Sequence, residues 1–172
     1  RRAVSRAAAL ERQQCRAVAQ HRAAPGQLTN AEGHELIDQL TSYERPYPML
    51  VLTGGDCFER PDLVDLIEYA VGKGLHVSIS PSVTPLFTRE RVKAVQDAGV
   101  SVMSMSLDGG SAETHDAFRG FPGTFDRTIE ACHMLNELGM RFQLNTVFTA
   151  KNIHEAPQML KNAIDLGAFM FY

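Results

Sequence analysis

What constrains this chain most is a unit that returns along it: an amphipathic stretch closed by glycine, then an apolar run, then a turn. Apolar runs begin near Met49, Leu75, Val100, Met140 and Ala168, and the last four follow directly on Gly74, Gly99, Gly139 and Gly167. Glycine just past a helix adopts the left-handed conformation that stops it. A helix that stops and hands over to a short apolar run, again and again, is the grammar of βα units and predicts an α/β fold with a mainly parallel sheet. Met49 to Leu52 and Val102-Met103 are apolar at consecutive positions, which predicts strands covered on both faces. Functional groups are then expected in the loops at the strand C-termini.

The bulk numbers set the frame. With 172 residues, 44% hydrophobic and 22% charged, the chain can bury one sizeable core. It opens on Arg1 and stops in the apolar run Phe169-Met170-Phe171-Tyr172, which reads as a fragment of something longer. No run reaches the ~18 apolar residues of a membrane span, and no secretory signal is visible. The first 24 residues carry a net +5 and the remainder −8. That basic start has no aromatic side chain for stacking bases, so neither a nucleic-acid nor a membrane partner is expected. Three unevenly spaced cysteines, Cys15, Cys57 and Cys132, fit a reducing compartment better than a disulfide framework, which predicts a cytoplasmic protein.

Residues 1–24 form one segment, rich in helix-forming Ala, Arg and Gln, with a helix expected within residues 5–20. Pro25-Gly26 breaks it, and residues 25–172 are expected to form the fold proper. Thr29 caps a helix with Glu32 at the capping-box position and Leu36, Ile37 and Leu40 as its inner stripe. A strand from Met49 to Thr53 leads through the turn Thr53-Gly54-Gly55-Asp56-Cys57 to a helix opened by Pro61-Asp62, with Leu63, Leu66, Ile67 and Ala70 spaced for burial. The next strand, Leu75 to Ser80, closes on Ser80-Pro81-Ser82. Thr88 caps a helix through Ala98, and the strand Val100 to Ser106 ends in Ser106-Leu107-Asp108-Gly109. A longer connection, Asp108 to Thr124, follows before a helix from Phe125 to Leu138. The strand Arg141 to Phe148 holds Asn145, and the helix from Ile153 to Leu166 has Pro157 in its first turn. Long loops in a repetitive architecture carry function.

The paired glycines can bring backbone close to a ligand, and Asp56 can accept from an ammonium or hydroxyl group. No G-x-G-x-x-G opens the first helix, which disfavours a doubly wound dinucleotide-binding domain. In order, the motifs TGGD, SPS, SLDG, HDAFRG and QLNT resemble those of the radical S-adenosylmethionine (radical SAM) enzymes, in particular the subset that often carries a C-terminal SPASM-type domain and matures peptides or tetrapyrroles. The resemblance covers residues 4–172. It implies a partial (β/α)6 TIM-like barrel truncated after about five βα units, expected here as five strands with a sixth begun at Ala168.

The resemblance also implies roles. Gly54, Gly55 and Asp56 match the motif that meets the methionine ammonium of S-adenosylmethionine. Ser106 and Arg119 match the pair near its carboxylate, and Ser80 and Asn145 match polar groups near the ribose or methionine moiety. A carboxylate for an ammonium and a guanidinium fork for a carboxylate suit such a zwitterion. The family holds a [4Fe–4S] cluster on three cysteines spaced C-x3-C-x2-C. Here Ala8 and Arg12 stand at the first two positions and only Cys15 remains as a metal ligand, so the cluster that generates the 5′-deoxyadenosyl radical is not expected from this set. No catalytic residue is assigned. A peptide or small-molecule substrate is implied, with a reductase partner if the chain is active. A non-catalytic nucleotide-binding or scaffold module in a larger assembly is the alternative.

Overall fold

A computed structural model describes residues 26–172; the expected helix within residues 5–20 and the metal candidate Cys15 lie outside the described residues. Among the described residues there are six α-helices: Asn30–Leu40 (α1), Leu63–Gly72 (α2), Arg89–Asp97 (α3), Ala112–Arg119 (α4), Thr124–Glu137 (α5) and Ala156–Asp165 (α6). Five strands alternate with them: Leu50–Leu52 (β1), Val77–Ile79 (β2), Val102–Ser106 (β3), Phe142–Asn145 (β4) and Met170–Phe171 (β5). They form one sheet in the sequential order β1-β2-β3-β4-β5, without the reversal of a doubly wound fold. β1 pairs with β2, β2 with β3 and β4 with β5 in parallel.

The glycine grammar has a common physical basis. In four helices the glycine amide donates to the carbonyl three residues back, and the next amide donates five residues back. Gly74 reaches Val71 at 2.9 Å and Leu75 reaches Ala70 at 3.0 Å, and the pattern repeats at Gly99, Gly139 and Gly167. This paired arrangement satisfies carbonyls that a helix end leaves without partners. It also delivers Leu75, Val100 and Met140 to the core at the start of each following run.

The chain divides into two compact units, one running to Met103 and the other from Ser104 to Tyr172. In the first, Thr29 and Glu32 close the expected capping box on α1 and Thr88 caps α3. Leu63, Leu66, Ile67 and Ala70 of α2 are all buried, and β2 is buried along its length. Two expectations are corrected. Leu36 is 44% exposed, because α1 docks through Gly33 and Ile37, and Gly33 lies so close to Leu66 that an added Cβ would stand 2.7 Å from its Cδ2. β1 is not covered on both faces: it is the edge strand of the described sheet, and Val51 is 47% exposed.

In the second unit, Leu135, Met140, Phe142, Leu144 and Met159 are buried, and Pro157 stands in the first turn of α6. The connection from Asp108 to Thr124, expected as a loop, contains α4, capped by the Ser111 hydroxyl and stopped at Gly120. The expected strand count is corrected too. Among the described residues there are four strands of three to five residues and a fifth of two, opening at Met170 where a sixth was expected at Ala168.

Candidate functional site

In the first unit the turn after β1 is built around a buried carboxylate. Asp56, 6% exposed, accepts from the Phe58 amide at 3.1 Å and the Ser82 amide at 3.4 Å through Oδ1, and from the Thr84 hydroxyl at 2.6 Å through Oδ2. The Ser82 hydroxyl donates to the Gly55 carbonyl at 2.6 Å. The turn after β1 is thus laced to the segment after β2. A carboxylate has about four acceptor positions, and these donors take three. Gly54 sits at φ 133°, where L side chains are strained, and no atom lies within 4 Å of where its Cβ would be. Ser80 ends the β2 run, its amide donating to the Leu52 carbonyl at 2.9 Å. Ser82 and Thr84 were not anticipated as partners of Asp56; the Ser-Pro-Ser sequence marks the segment, but nothing local to Thr84 marks its contact.

In the second unit, Ser106 ends β3 and Asn145 ends β4. The Leu107 amide donates to the Asn145 carbonyl at 3.0 Å, and the Asn145 side chain accepts from Gln143 at 3.0 Å. Arg119, the last residue of α4, places Nη2 2.6 Å from Oδ2 of Asp108. The family resemblance assigned Arg119 to a ligand carboxylate. The structure pairs it with a carboxylate that is 1% exposed.

The buried polar residues around this pair were missed by sequence reasoning. Burial, then the Arg119 guanidinium, pushes the pKa of His115 down to about 4 against the opposing pull of Asp116, so its ring is neutral at pH 7. Its Nδ1 accepts from the Asp108 amide at 3.0 Å, which places the ring proton on Nε2. Burial acts to raise the Asp116 pKa, but the Phe125 amide, the Thr124 hydroxyl and the Gly123 amide outweigh it and hold it below the usual range. Asp116 thereby caps α5 from outside the helix. The available signal was compositional: Ser111 followed by eight residues and Gly120 is a short capped helix with little apolar stripe.

Among the described residues no group of three His, Cys, Asp or Glu side chains could hold a metal ion. Burial, reinforced by the neighbouring Asp56 charge, pushes Cys57 up to about 12, and burial does the same to Cys132. Such thiols stay protonated at neutral pH. Cys57 is a small buried residue, 7% exposed. No helix of the described residues is long and apolar enough to cross a membrane.

Comparison with known proteins gives consistent findings. The family described as Radical SAM superfamily matches residues 16–163. The AdoMet-dependent heme synthase of Oleidesulfovibrio alaskensis is 40% identical over 165 residues, 96% of this chain and 42% of that protein. The PqqA peptide cyclase of Methylocella silvestris is 32% identical over 117 residues, 68% of this chain and 31% of that protein. Streptococcus suis SuiB, solved with S-adenosylmethionine bound, shares the fold at a TM-score of 0.70 and 15% identity, over 84% of this chain and 33% of that one. The chain spans 42 to 45% of the length of the heme synthases it matches. With the family matched over most of its length, and with the glycine turn and βα order that the family implies, this chain belongs to the radical SAM superfamily.

Proposed function

We propose that the chain is the S-adenosylmethionine-binding part of a cytoplasmic protein that matures a tetrapyrrole, and that its own cysteines do not assemble the [4Fe–4S] cluster. The observation that carries the cofactor assignment is the turn after β1. Gly54 leaves backbone open to a ligand, while the Ser82 amide and the Thr84 hydroxyl hold Asp56 with one acceptor position to spare for an ammonium group. Ser80 stands beside that turn in the same unit. In the other unit, Arg119 supplies N–H groups for a carboxylate, and Ser106 and Asn145 supply polar groups at strand ends. Bound S-adenosylmethionine would bring its sulfonium centre; in the first unit Asp56 would meet an ammonium group, and in the second Arg119 would meet a carboxylate. The greater identity to heme synthases than to the peptide cyclase favours a tetrapyrrole over a peptide substrate.

Titration calorimetry with S-adenosylmethionine tests the first part. Saturable binding is expected, with Asp56→Asn weakening it about tenfold, a difference of ~1.4 kcal/mol. An unchanged dissociation constant in that variant counts against the ammonium role. Anaerobic reconstitution with iron and sulfide tests the second part. The expected iron content is far below four per chain, and restoring the missing thiols with Ala8→Cys and Arg12→Cys should raise it. A stoichiometric cluster on the unaltered chain refutes the cluster-deficient reading.

A further inference from the structure

In the second unit, the turn after β3 and the loop after β4 are joined through one buried amide. Asn152 is 0% exposed. Its Nδ2 donates to the Asp108 carbonyl and to the Val147 carbonyl, each at 2.9 Å. Its Oδ1 accepts from the Thr149 amide at 2.6 Å and the Thr149 hydroxyl at 3.1 Å. Both donors and both acceptor positions of the side chain are therefore used. The Glu155 carboxylate adds a second tie, accepting from the Gly110 amide at 2.6 Å and the Thr114 hydroxyl at 2.7 Å.

Asp108 is held by this arrangement from three sides. Its amide donates to His115, its carbonyl accepts from Asn152, and its Oδ1 accepts from the Val147 amide at 2.8 Å. The carboxylate therefore has little freedom to turn, and Oδ2 is left facing Nη2 of Arg119. Burying a carboxylate is costly unless a cation and hydrogen bonds compensate it. Arg119 is that cation, yet its side chain remains 27% exposed. A guanidinium carries five N–H donors in a rigid fork, so the Asp108 contact leaves others for a second anion.

We propose that Asp108 and Asn152 are positioning residues for Arg119, holding its guanidinium in place before a ligand carboxylate arrives. The ligand class is an amino-acid carboxylate, which in the reading above is the methionine end of S-adenosylmethionine; the inference rests on that reading. A free arginine loses side-chain freedom when it binds an anion. One already fixed avoids most of that loss, and the difference appears as affinity.

The test is a double-mutant cycle read by calorimetry with S-adenosylmethionine on the full chain, using Asp108→Asn, Arg119→Ala and the double variant, each checked for folding by circular dichroism. Asp108→Asn keeps an oxygen for the Val147 amide and removes the charge that faces Arg119. The expected result is about a tenfold loss of affinity in the native background and less than about twofold when Arg119 is already alanine, the signature of a residue that acts through its neighbour. Equal losses in both backgrounds, or no loss in either, would overturn the positioning role while leaving cofactor binding intact. If the unaltered chain does not bind S-adenosylmethionine, the reading and the inference fall together. Should a variant not fold, nitrogen relaxation of the Arg119 Nε–H group in the unaltered, ligand-free protein decides: a rigid group supports positioning, and a freely moving one overturns it.

Discussion

A methyl group placed on Gly109 would stand 2.3 Å from the backbone nitrogen of His115 and 2.8 Å from its Cα. The turn after β3 and the first turn of α4 are therefore in backbone contact. The glycine of the SLDG motif acts here by its missing Cβ, which lets His115 reach the Asp108 amide.

Replacing that glycine should be expensive. Neither side of the contact is a flexible side chain, so Gly109→Ala must displace α4 or the turn. Overpacking of this kind costs about 1–3 kcal/mol, occasionally more. The expected result is a lower urea midpoint with an unchanged slope, and an unaltered midpoint would show that the contact relaxes freely.

Asp56 invites a graded test. Asp56→Ala removes the acceptor for two amides and a hydroxyl at a buried site. Leaving a buried donor unsatisfied costs about 1–3 kcal/mol, so this variant should unfold at a clearly lower temperature. Asp56→Asn retains an acceptor oxygen and should lose less. Equal melting temperatures for the two would argue that the carboxylate does not brace the turn.

His115 predicts an acid-side slope in stability. Its folded pKa is about 4 against an ordinary histidine value of 6.5. Between those values the unfolded chain binds a proton that the folded chain refuses, so stability falls as pH drops from about 6.5 toward 4. The full effect is on the order of 3 kcal/mol. Urea midpoints at pH 7 and pH 5 should therefore diverge less in His115→Gln than in the native chain, and an identical divergence would remove His115 as the cause.

The buried thiols give a chemical readout. Cys57 and Cys132, both held near 12, should resist alkylation in the folded protein at pH 8 and react fully in denaturant. Mapping the modified peptides by mass spectrometry checks each site. Rapid native-state labelling of Cys57 would show that the turn after β1 opens.

Much of the fold was legible because its signals are local. Thr29 with Glu32, Thr88 before α3, and Gly74, Gly99, Gly139 and Gly167 after their helices all act on backbone groups within a few residues. The apolar spacing of Leu63, Leu66, Ile67 and Ala70 likewise specifies a buried face without knowledge of what covers it. The order of TGGD, SLDG and QLNT identified the family from residue types alone, and the absence of C-x3-C-x2-C was equally plain in the chain.

What needed tertiary structure lay in contacts between residues far apart in sequence. α4 escaped periodicity because its buried residue is His115, a polar side chain kept neutral by surroundings that no local pattern encodes. Thr84 meets Asp56 across 28 residues and Asn152 meets Asp108 across 44. Neither separation has a sequence signature, because a side-chain hydrogen bond depends on where two turns are carried by the strands beneath them. The sequence alone determined where helices stop, which faces turn inward, which family the motifs resemble and which cluster ligands are missing. Only the folded chain decided that Asp56 is braced by the segment after β2 and that Arg119 is paired with a buried carboxylate, since burial and charge pairing arise when distant backbone segments exclude water together.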